Sequence, residues 1–304
     1  SNSYQTGSKL FRSIDNGENW RALHKGLPNS GYISCMAERD TLLFAGMVLP
    51  STGPAIGAIF RSSDTGKSWD EISKGIDLQN TRIASVGGLA VKDNSLYAGL
   101  HSFTRGVYRT DNDGSSWSRK SKGLVDNPNY IYIKCLAVSG TSIFAGTDNG
   151  IYHSSDNGEN WEQTNTGLSD TNILCLTVSG STVYAGTRTG GIFRSTDNGD
   201  SWIPKNTTLI VRPVNALAVR GTTIFAATQG EGIFRAQITD FAPTDVEEQP
   251  ATPSSSLRIS PMPISGDYLT ISNIPASASE LRIYTLLGEI VHSEALNAAE
   301  RRQM

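Results

Sequence analysis

The stretch from Ile192 to Trp202, IFRSTDNGDSW, decides the fold because it recurs along the chain. LFRSIDNGENW covers Leu10 to Trp20, IFRSSDTGKSW covers Ile59 to Trp69, VYRTDNDGSSW covers Val107 to Trp117, and IYHSSDNGENW covers Ile151 to Trp161. A shortened copy, Ile233 to Arg235, keeps only the beginning of the pattern. A unit that recurs at a near-constant spacing indicates a repeat architecture.

Each copy predicts a strand, a tight turn and the start of a second strand. The alternating apolar and polar residues at its beginning are typical of a half-buried strand. In the Ser-x-Asp-x-Gly segment that follows, the Asp carboxylate can accept backbone N–H bonds, and Gly can adopt a positive φ. The Trp then opens the next strand, where its large ring can close the core of the hairpin.

This pattern resembles the Asp-box, or BNR repeat, of sialidase-like β-propellers. The matching residues are Ser13, Asp15, Gly17, Trp20, Ser62, Asp64, Gly66, Trp69, Ser154, Asp156, Gly158, Trp161, Ser195, Asp197, Gly199 and Trp202. The third copy keeps Gly114 and Trp117 but has Thr110 and Asn112 in place of Ser and Asp, and Asn can accept the same bonds. Because one active site does not need five copies, we interpret these aspartates as turn caps rather than as cation or sugar ligands.

The segments between the copies predict the rest of a four-stranded unit. Each full unit has an inner strand such as Ile133–Val138 and a second strand such as Ile143–Thr147, followed by the repeated strand and a fourth strand from Trp. Successive tryptophans lie 41 to 49 positions apart, which suits one propeller blade each. The expected fold is therefore an all-β propeller of four-stranded antiparallel blades. We favour six blades with a truncated first blade. The alternative is five blades, with the N-terminal strands completing the last one.

The composition changes after the repeats, which predicts three segments. Residues 1–239 form the propeller, and residues 240–256, rich in Pro, Ser, Thr and acidic residues, form a linker. Residues 257–304 resemble a partial C-terminal sorting domain of the type IX secretion system, a small β-sandwich. The resemblance rests on Pro261-Met262-Pro263, on Asp267–Ile271, and on Leu281–Val291. It implies a protein secreted to, or anchored on, the outer-membrane surface of a bacterium, with the secretion machinery as a partner. An unrelated accessory β-sandwich is the alternative.

Composition excludes some classes of partner. The net charge is −3 and basic residues are spread evenly, which argues against a nucleic-acid partner. No apolar run is long enough for a transmembrane segment. The chain starts without Met, which indicates a mature or trimmed sequence.

Cys35, Cys135 and Cys175 share one repeat position, so we expect buried free thiols, no metal site and no disulfide. We expect a monomer without cofactors.

Loop length varies on only one end of the predicted blades. The turns that join the first strand of a blade to the second, and the Ser-x-Asp-x-Gly turns, are short and uniform. The loops that join the second strand to the third, and the fourth strand to the first strand of the next blade, differ in length. Function in repeat folds usually lies on variable loops that a rigid scaffold positions. We therefore expect a ligand site at this variable face, suited to a glycan or a surface protein. Its candidate residues are His101, Phe103, Arg105, Tyr130, Arg188 and Arg212.

The sequence favours a non-catalytic binding module over an enzyme. The resemblance to sialidases raises a glycoside hydrolase as the alternative, but the Phe/Tyr-Arg-Ile-Pro motif of that family is absent, and Val211-Arg212-Pro213 lacks the Ile. Hydrolysis needs two carboxylates across the scissile bond, and the variable face offers scattered candidates such as Asp126 and Glu231. We therefore assign no catalytic residue. The repeated arginines at 12, 61, 109, 194 and 235 are expected to pack along the blades with their heads paired to turns.

Overall fold

The computed structural model describes residues 10–49, 56–76, 84–102, 106–124, 131–205, 213–230 and 232–238, together with four short strands after residue 257. The chain divides into two compact units, Ser1–Ala242 and Pro243–Met304. No helix within the described residues is long and apolar enough to cross a membrane.

The first unit consists of successive antiparallel sheets of strands that are consecutive in sequence. An N-terminal hairpin contains β1 (Phe11–Arg12) and β2 (Arg21–Ala22). The first blade contains β3 (Tyr32–Arg39), β4 (Leu42–Leu49), β5 (Ile56–Ser62) and β6 (Asp70–Glu71); the second contains β7 (Ala84–Lys92), β8 (Ser95–Ser102), β9 (Gly106–Thr110) and β10 (Ser118–Arg119). The third blade contains β11 (Ile133–Ser139), β12 (Ser142–Thr147), β13 (Gly150–Ser154) and β14 (Glu162–Gln163); the fourth contains β15 (Ile173–Ser179), β16 (Thr182–Thr187), β17 (Ile192–Ser195) and β18 (Ile203–Pro204). The last contains β19 (Val214–Arg220), β20 (Thr223–Thr228) and β21 (Gly232–Gln237).

The predicted all-β propeller of four-stranded antiparallel blades is confirmed, with five blades. Our favoured count of six was too high, because β1 and β2 form a two-stranded hairpin rather than a blade. The five-blade alternative gives the right number. Within the described residues, however, β1 and β2 pair with each other and do not add to the three-stranded last blade.

The N-terminal hairpin packs against the first blade as one blade packs against the next. Trp69 N donates to Lys25 O over 3.0 Å, and the same bond joins Trp161 N to Lys122 O over 2.9 Å between the second and third blades. Leu27 lies in the core of the first blade beside Trp69. The hairpin therefore continues the blade-to-blade packing in the N-terminal direction.

The core lies between neighbouring blades. The second strands of the third and fourth blades are almost completely buried because their residues pack on both sides, within the blade and against the following blade. Trp69, Trp161 and Trp202 are 2–3% exposed, whereas Trp20, at the N-terminal end, is 63% exposed. Each of the three buried tryptophans donates its backbone N–H to a carbonyl of the preceding unit, whereas no described unit precedes Trp20.

The inner strands share one irregularity. A β-bulge immediately precedes the repeat position that the cysteines share, as between Ile133 and Cys135 and between Ile173 and Cys175. The three cysteines are free thiols and pack toward the following blade. Burial raises the pKa of Cys35 to about 11 and that of Cys175 to about 12, so both are protonated at neutral pH.

The Ser-x-Asp-x-Gly segments form one turn, which we call the repeat turn, with the same hydrogen bonds in every copy. In the fourth copy, Asp156 Oδ1 accepts the Ser154 hydroxyl over 2.8 Å and Asn160 N over 2.9 Å, and Gly158 N donates to Ser154 Oγ over 2.9 Å. Asn112 accepts the corresponding bond from Ser116 N over 2.9 Å. The carboxylates therefore bind groups of their own turns.

The four described strands of the second unit form two two-stranded antiparallel sheets. One joins β22 (Arg258–Ser260) to β23 (Thr270–Ser272), and the other joins β24 (Glu280–Tyr284) to β25 (Ile290–Ala295). The predicted linker at 240–256 lies outside the described residues.

Candidate functional site

The variable face of the second, third and fourth blades brings together a group of polar and aromatic side chains. They come from the end of β8, the start of β11, the turn after β12, the connection before β15 and the loop after β16. Because consecutive strands of a blade are antiparallel, all of these points lie at one end of the blades. The described members are His101, Tyr132, Lys134, Asp148, Asp170, Asn172 and Arg188.

His101 and Tyr132 form a stacked aromatic pair across two blades. Their ring centroids lie 4.5 Å apart with an angle of 23° between the planes. Both residues are half-buried. Burial lowers the pKa of His101, and the nearby Lys134 charge lowers it further, so the imidazole is neutral at neutral pH. The pair therefore offers a neutral, planar surface.

Lys134 places a positive charge close to His101, and Arg188 lies close enough to act on the charge of Lys134. Lys134 Nζ donates to Asn172 Oδ1 over 2.6 Å, and Arg188 N donates to Asn172 O over 3.0 Å, so Asn172 connects the two. Burial lowers the pKa of Lys134, with Asp148 opposing this effect and Arg188 adding to it. Within the described residues, neither cation forms an ion pair. A ligand could therefore supply the negative charge.

The two carboxylates of this group are occupied by backbone N–H groups. Asp148 Oδ1 accepts Tyr132 N over 3.1 Å. Asp170 accepts Asn172 N over 2.9 Å through Oδ1, and Thr189 N over 2.5 Å and Gly190 N over 3.0 Å through Oδ2. Burial opposes ionisation of Asp170, but these donors outweigh it and hold its pKa below the usual range. Both carboxylates therefore stabilise the backbone of the loops around them.

The structure describes two of the six residues predicted for this face. His101 and Arg188 lie in the same group, and each is close enough to Lys134 for their charges to interact. Phe103, Arg105, Tyr130 and Arg212 lie outside the described residues, as do the carboxylate candidates Asp126 and Glu231. Within the described part of the chain, no cluster of three or more His, Cys, Asp or Glu residues could hold a metal ion.

Three residues of this group, Tyr132, Lys134 and Asn172, are not among the site residues predicted from the sequence. Lys134 could have been found, because the corresponding residue of the other inner strands is Ser34, Gly87, Leu174 or Asn215. A single charge at an otherwise uncharged repeat position indicates a residue that the repeat itself does not require.

The repeated arginines mostly contact turns of the scaffold. Arg12 Nη1 donates to Thr65 O over 2.7 Å in the next repeat turn, and Arg109 Nε donates to Asp111 Oδ1 over 2.7 Å in its own. They are therefore distinct from the two cations at the variable face.

Comparison with known proteins supports the propeller fold. Residues 88–229 match the family described as the DUF6242 beta propeller domain, which is less than half of the chain. No curated protein matches this sequence.

Solved structures with similar folds have diverse roles. One is the extracellular domain of a putative one component system from B. thetaiotaomicron, with a TM-score of 0.55, 15% identity, and coverage of 75% of this chain and 31% of that one. An ancestral GH74 enzyme has a TM-score of 0.53, 16% identity, and coverage of 76% and 33%. YCF48 bound to a D1 peptide has a TM-score of 0.51, 16% identity, and coverage of 75% and 72%. The chain spans about a third of the length of the first two proteins. At these identities the likeness concerns the fold alone, and this chain is a β-propeller.

Proposed function

We propose that this propeller is a secreted or cell-surface binding module without catalytic activity, built on Asp-box repeats. Its ligand, a glycan or a surface protein, binds at the variable face. The observation that carries the proposal is the neutral His101–Tyr132 stack with Lys134 close to it and Arg188 close to Lys134, both cations without an ion pair among the described residues.

The chemistry of this group suits a ligand with both a carboxylate and a flat apolar surface. Lys134 is half-buried, so the attraction between its ammonium group and an anion is screened less than at an open surface. Arg188 is exposed and can donate two parallel hydrogen bonds to one carboxylate. The apolar face of a sugar ring or of a peptide side chain can rest on the aromatic pair. An acidic sugar or an acidic segment of a surface protein has both features.

A glycoside hydrolase is the alternative, and the solved GH74 enzyme shows that similar propellers can carry such activity. A general acid requires a carboxyl group with a raised pKa. Asp170 has the opposite property, because its backbone donors stabilise the charged form. Asp148 is engaged with Tyr132 N. The described carboxylates of this face therefore favour binding over hydrolysis.

Titration calorimetry with two probes, an oligogalacturonate and an oligoglutamate peptide, tests the proposal and distinguishes the two ligand sources. Lys134→Gln combined with Arg188→Gln should weaken binding of the preferred probe at least about tenfold. Lys67→Gln is the matched control, since Lys67 is an exposed cation in a repeat turn at the opposite end of the first blade. Failure of both probes to bind, or equal affinity of the double variant, would contradict the proposal. Release of reducing ends from the oligogalacturonate would support the hydrolase.

We also propose that the second unit directs export through the type IX secretion system, which rests on the sorting-domain resemblance. Removing residues 254–304 from the full-length gene should leave a folded propeller in the periplasm. Immunoblotting of periplasmic and surface fractions measures the outcome, and surface display of the truncated protein would overturn the assignment.

A further inference from the structure

Basic side chains cross the junctions between blades at the end that carries the repeat turns, which we call the repeat-turn face. At the junction of the first and second blades, Arg39 donates to Asn94 O and to Asp113 Oδ1. At the next junction, Lys92 Nζ donates to Asn157 Oδ1 over 2.6 Å. Arg39 and Lys92 hold the same position, the last residue of an inner strand, and Asp113 and Asn157 are the residues of the repeat turns with positive φ. The first and second blades thus each reach the repeat turn of the blade that follows.

The backbone carbonyl of the same turn residue also receives a donor at these junctions. Arg61 Nη1 donates to Asp113 O over 3.3 Å, and the Tyr97 hydroxyl donates to Asn157 O over 3.3 Å. At both junctions, two side chains of the preceding blade therefore donate hydrogen bonds to the positive-φ residue of the repeat turn. One bond goes to its side chain and the other to its carbonyl oxygen.

The junction of the third and fourth blades lacks all of these donors. Ser139 replaces the Arg or Lys at the end of the inner strand, and its hydroxyl reaches Gly180 O, 3.4 Å away, rather than the repeat turn. His153 replaces the repeated arginine; it contacts Ser142 Oγ at 2.9 Å and stacks on Phe144, with centroids 4.9 Å apart. Phe144, in the place of Tyr97, has no hydroxyl.

A cleft of about 550 Å³ occupies this junction. Its lining consists of Ser139, Gly140, Thr141, Gly180, Ser181, Thr196, Asp197 and Asn198. Asn198 has the positive φ of the turn residue, 59°, and within the described residues no side chain of the third blade donates to its carbonyl or amide oxygen. The volume lies in the range of ligand pockets in proteins.

The electrostatic environment of the cleft favours a cation. No basic residue is among the residues that line it. Burial opposes ionisation of Asp197, but the hydroxyls of Ser201 and Ser195 hold its pKa below the usual range, so its negative charge persists at neutral pH. Asp200 lies close enough to act on the charge of His153. Uncompensated negative charge next to open acceptors is the complement of a basic group.

We propose that this cleft binds an arginine side chain of a partner polypeptide, which supplies from outside the contact that Arg39 makes within the chain. The planar guanidinium carries five donors, and Arg39 shows that two acceptors on neighbouring turns, Asn94 O and the side chain of Asp113, bind it together. Ser181 and Asn198 hold the corresponding positions at the open junction. This site lies on the repeat-turn face and is independent of the ligand proposed for the variable face.

Nuclear magnetic resonance titration of the full chain with N-acetyl-arginine amide, and with its neutral isostere N-acetyl-citrulline amide, tests the proposal. Arginine should produce saturable shifts at the backbone amides of Gly140, Ser181 and Asn198, with citrulline at least about tenfold weaker. Equal shifts with citrulline, or shifts spread over the surface, would overturn the site.

Substitutions at two positions distinguish arginine binding in the cleft from nonspecific electrostatic attraction to the protein surface. Ser139→Arg restores the residue type of the first blade and should abolish the arginine-induced shifts, whereas Ser139→Thr should keep them. Asn198→Gly keeps a residue suited to positive φ, removes the amide acceptor, and should weaken binding at least about threefold. Undiminished binding by a folded Ser139→Arg or Asn198→Gly protein would contradict the proposal.

Discussion

Lys92 Nζ donates to Asn157 Oδ1 over 2.6 Å and thereby joins the second blade to the repeat turn of the third. The Lys92 side chain is 10% exposed, so this bond is protected from water more than most surface contacts. Its partner lies 65 residues away in sequence. Cross-blade bonds of this kind add to the apolar contacts and backbone hydrogen bonds that join neighbouring repeats.

The contribution of this bond to stability can be measured directly. Lys92→Met keeps most of the apolar stem but removes the donor, so the free energy of unfolding should fall by about 1 kcal/mol. Lys92→Arg retains a donor and should stay within about 0.5 kcal/mol of the wild type. Urea denaturation followed by tryptophan fluorescence provides the measurement, and equal stability of the Met and Arg variants would refute the role of the bond.

The repeat turns should tolerate an amide but not an alanine in place of the carboxylate. Asp156→Ala removes the acceptor of the Ser154 hydroxyl and of Asn160 N, and should cost about 1–2 kcal/mol of stability, as other lost caps do. Asp156→Asn should cost less, because Asn112 makes the same turn in the third copy. Thermal unfolding of the two variants decides the point: if Asn is as harmful as Ala, the negative charge is the essential feature.

Acid should weaken the propeller through the same carboxylates. The pKa of Asp15 is lowered to about 2, chiefly by the Ser13 hydroxyl, and that of Asp64 to about 2, chiefly by the Ser68 hydroxyl. Because the folded-state pKa is below the ordinary value of 3.8, the stabilisation is fully present above that value and is lost as the pH falls toward 2.

Asp64→Asn isolates one of these groups. Between pH 5 and about pH 2 the wild type should lose more stability than the Asn variant, because the variant has no proton to gain at this position. Urea midpoints measured across this range give the comparison. Parallel curves for the two proteins would show that the Asp64 carboxylate does not contribute to acid sensitivity.

Gly146 is required by the packing between the third and fourth blades. A Cβ at this position would lie 2.4 Å from Cys135 Sγ and 2.7 Å from Ile173 Cγ2. Gly146→Ala should therefore cost about 1–3 kcal/mol through overpacking. Ile173→Ala vacates that space, so the double variant should be at least about 0.5 kcal/mol more stable than the sum of the single changes predicts. Strict additivity in chemical denaturation would show that the two residues do not compete for space.

Local interactions explain why the sequence alone predicts so much of this fold. In each repeat turn, the donors and acceptors lie two to four residues apart, as Ser154, Asp156 and Gly158 do. The strands of each unit follow one another in the same order in every complete copy. A pattern of this kind contains its own hydrogen-bond partners, so the hairpins, the blade and the all-β class follow from it.

The tertiary structure alone decided the blade count and the composition of both candidate sites. The N-terminal hairpin resembles a truncated blade in sequence, and the pairing of β1 with β2 alone showed that it is not one. His101 meets Tyr132, and Lys134 meets Asn172, across blades and over tens of residues. The open cleft exists because Ser139 does not reach the next repeat turn, whereas Arg39 and Lys92 do. Such contacts depend on how neighbouring blades are packed, and local propensity does not specify which side chains of different repeats face one another.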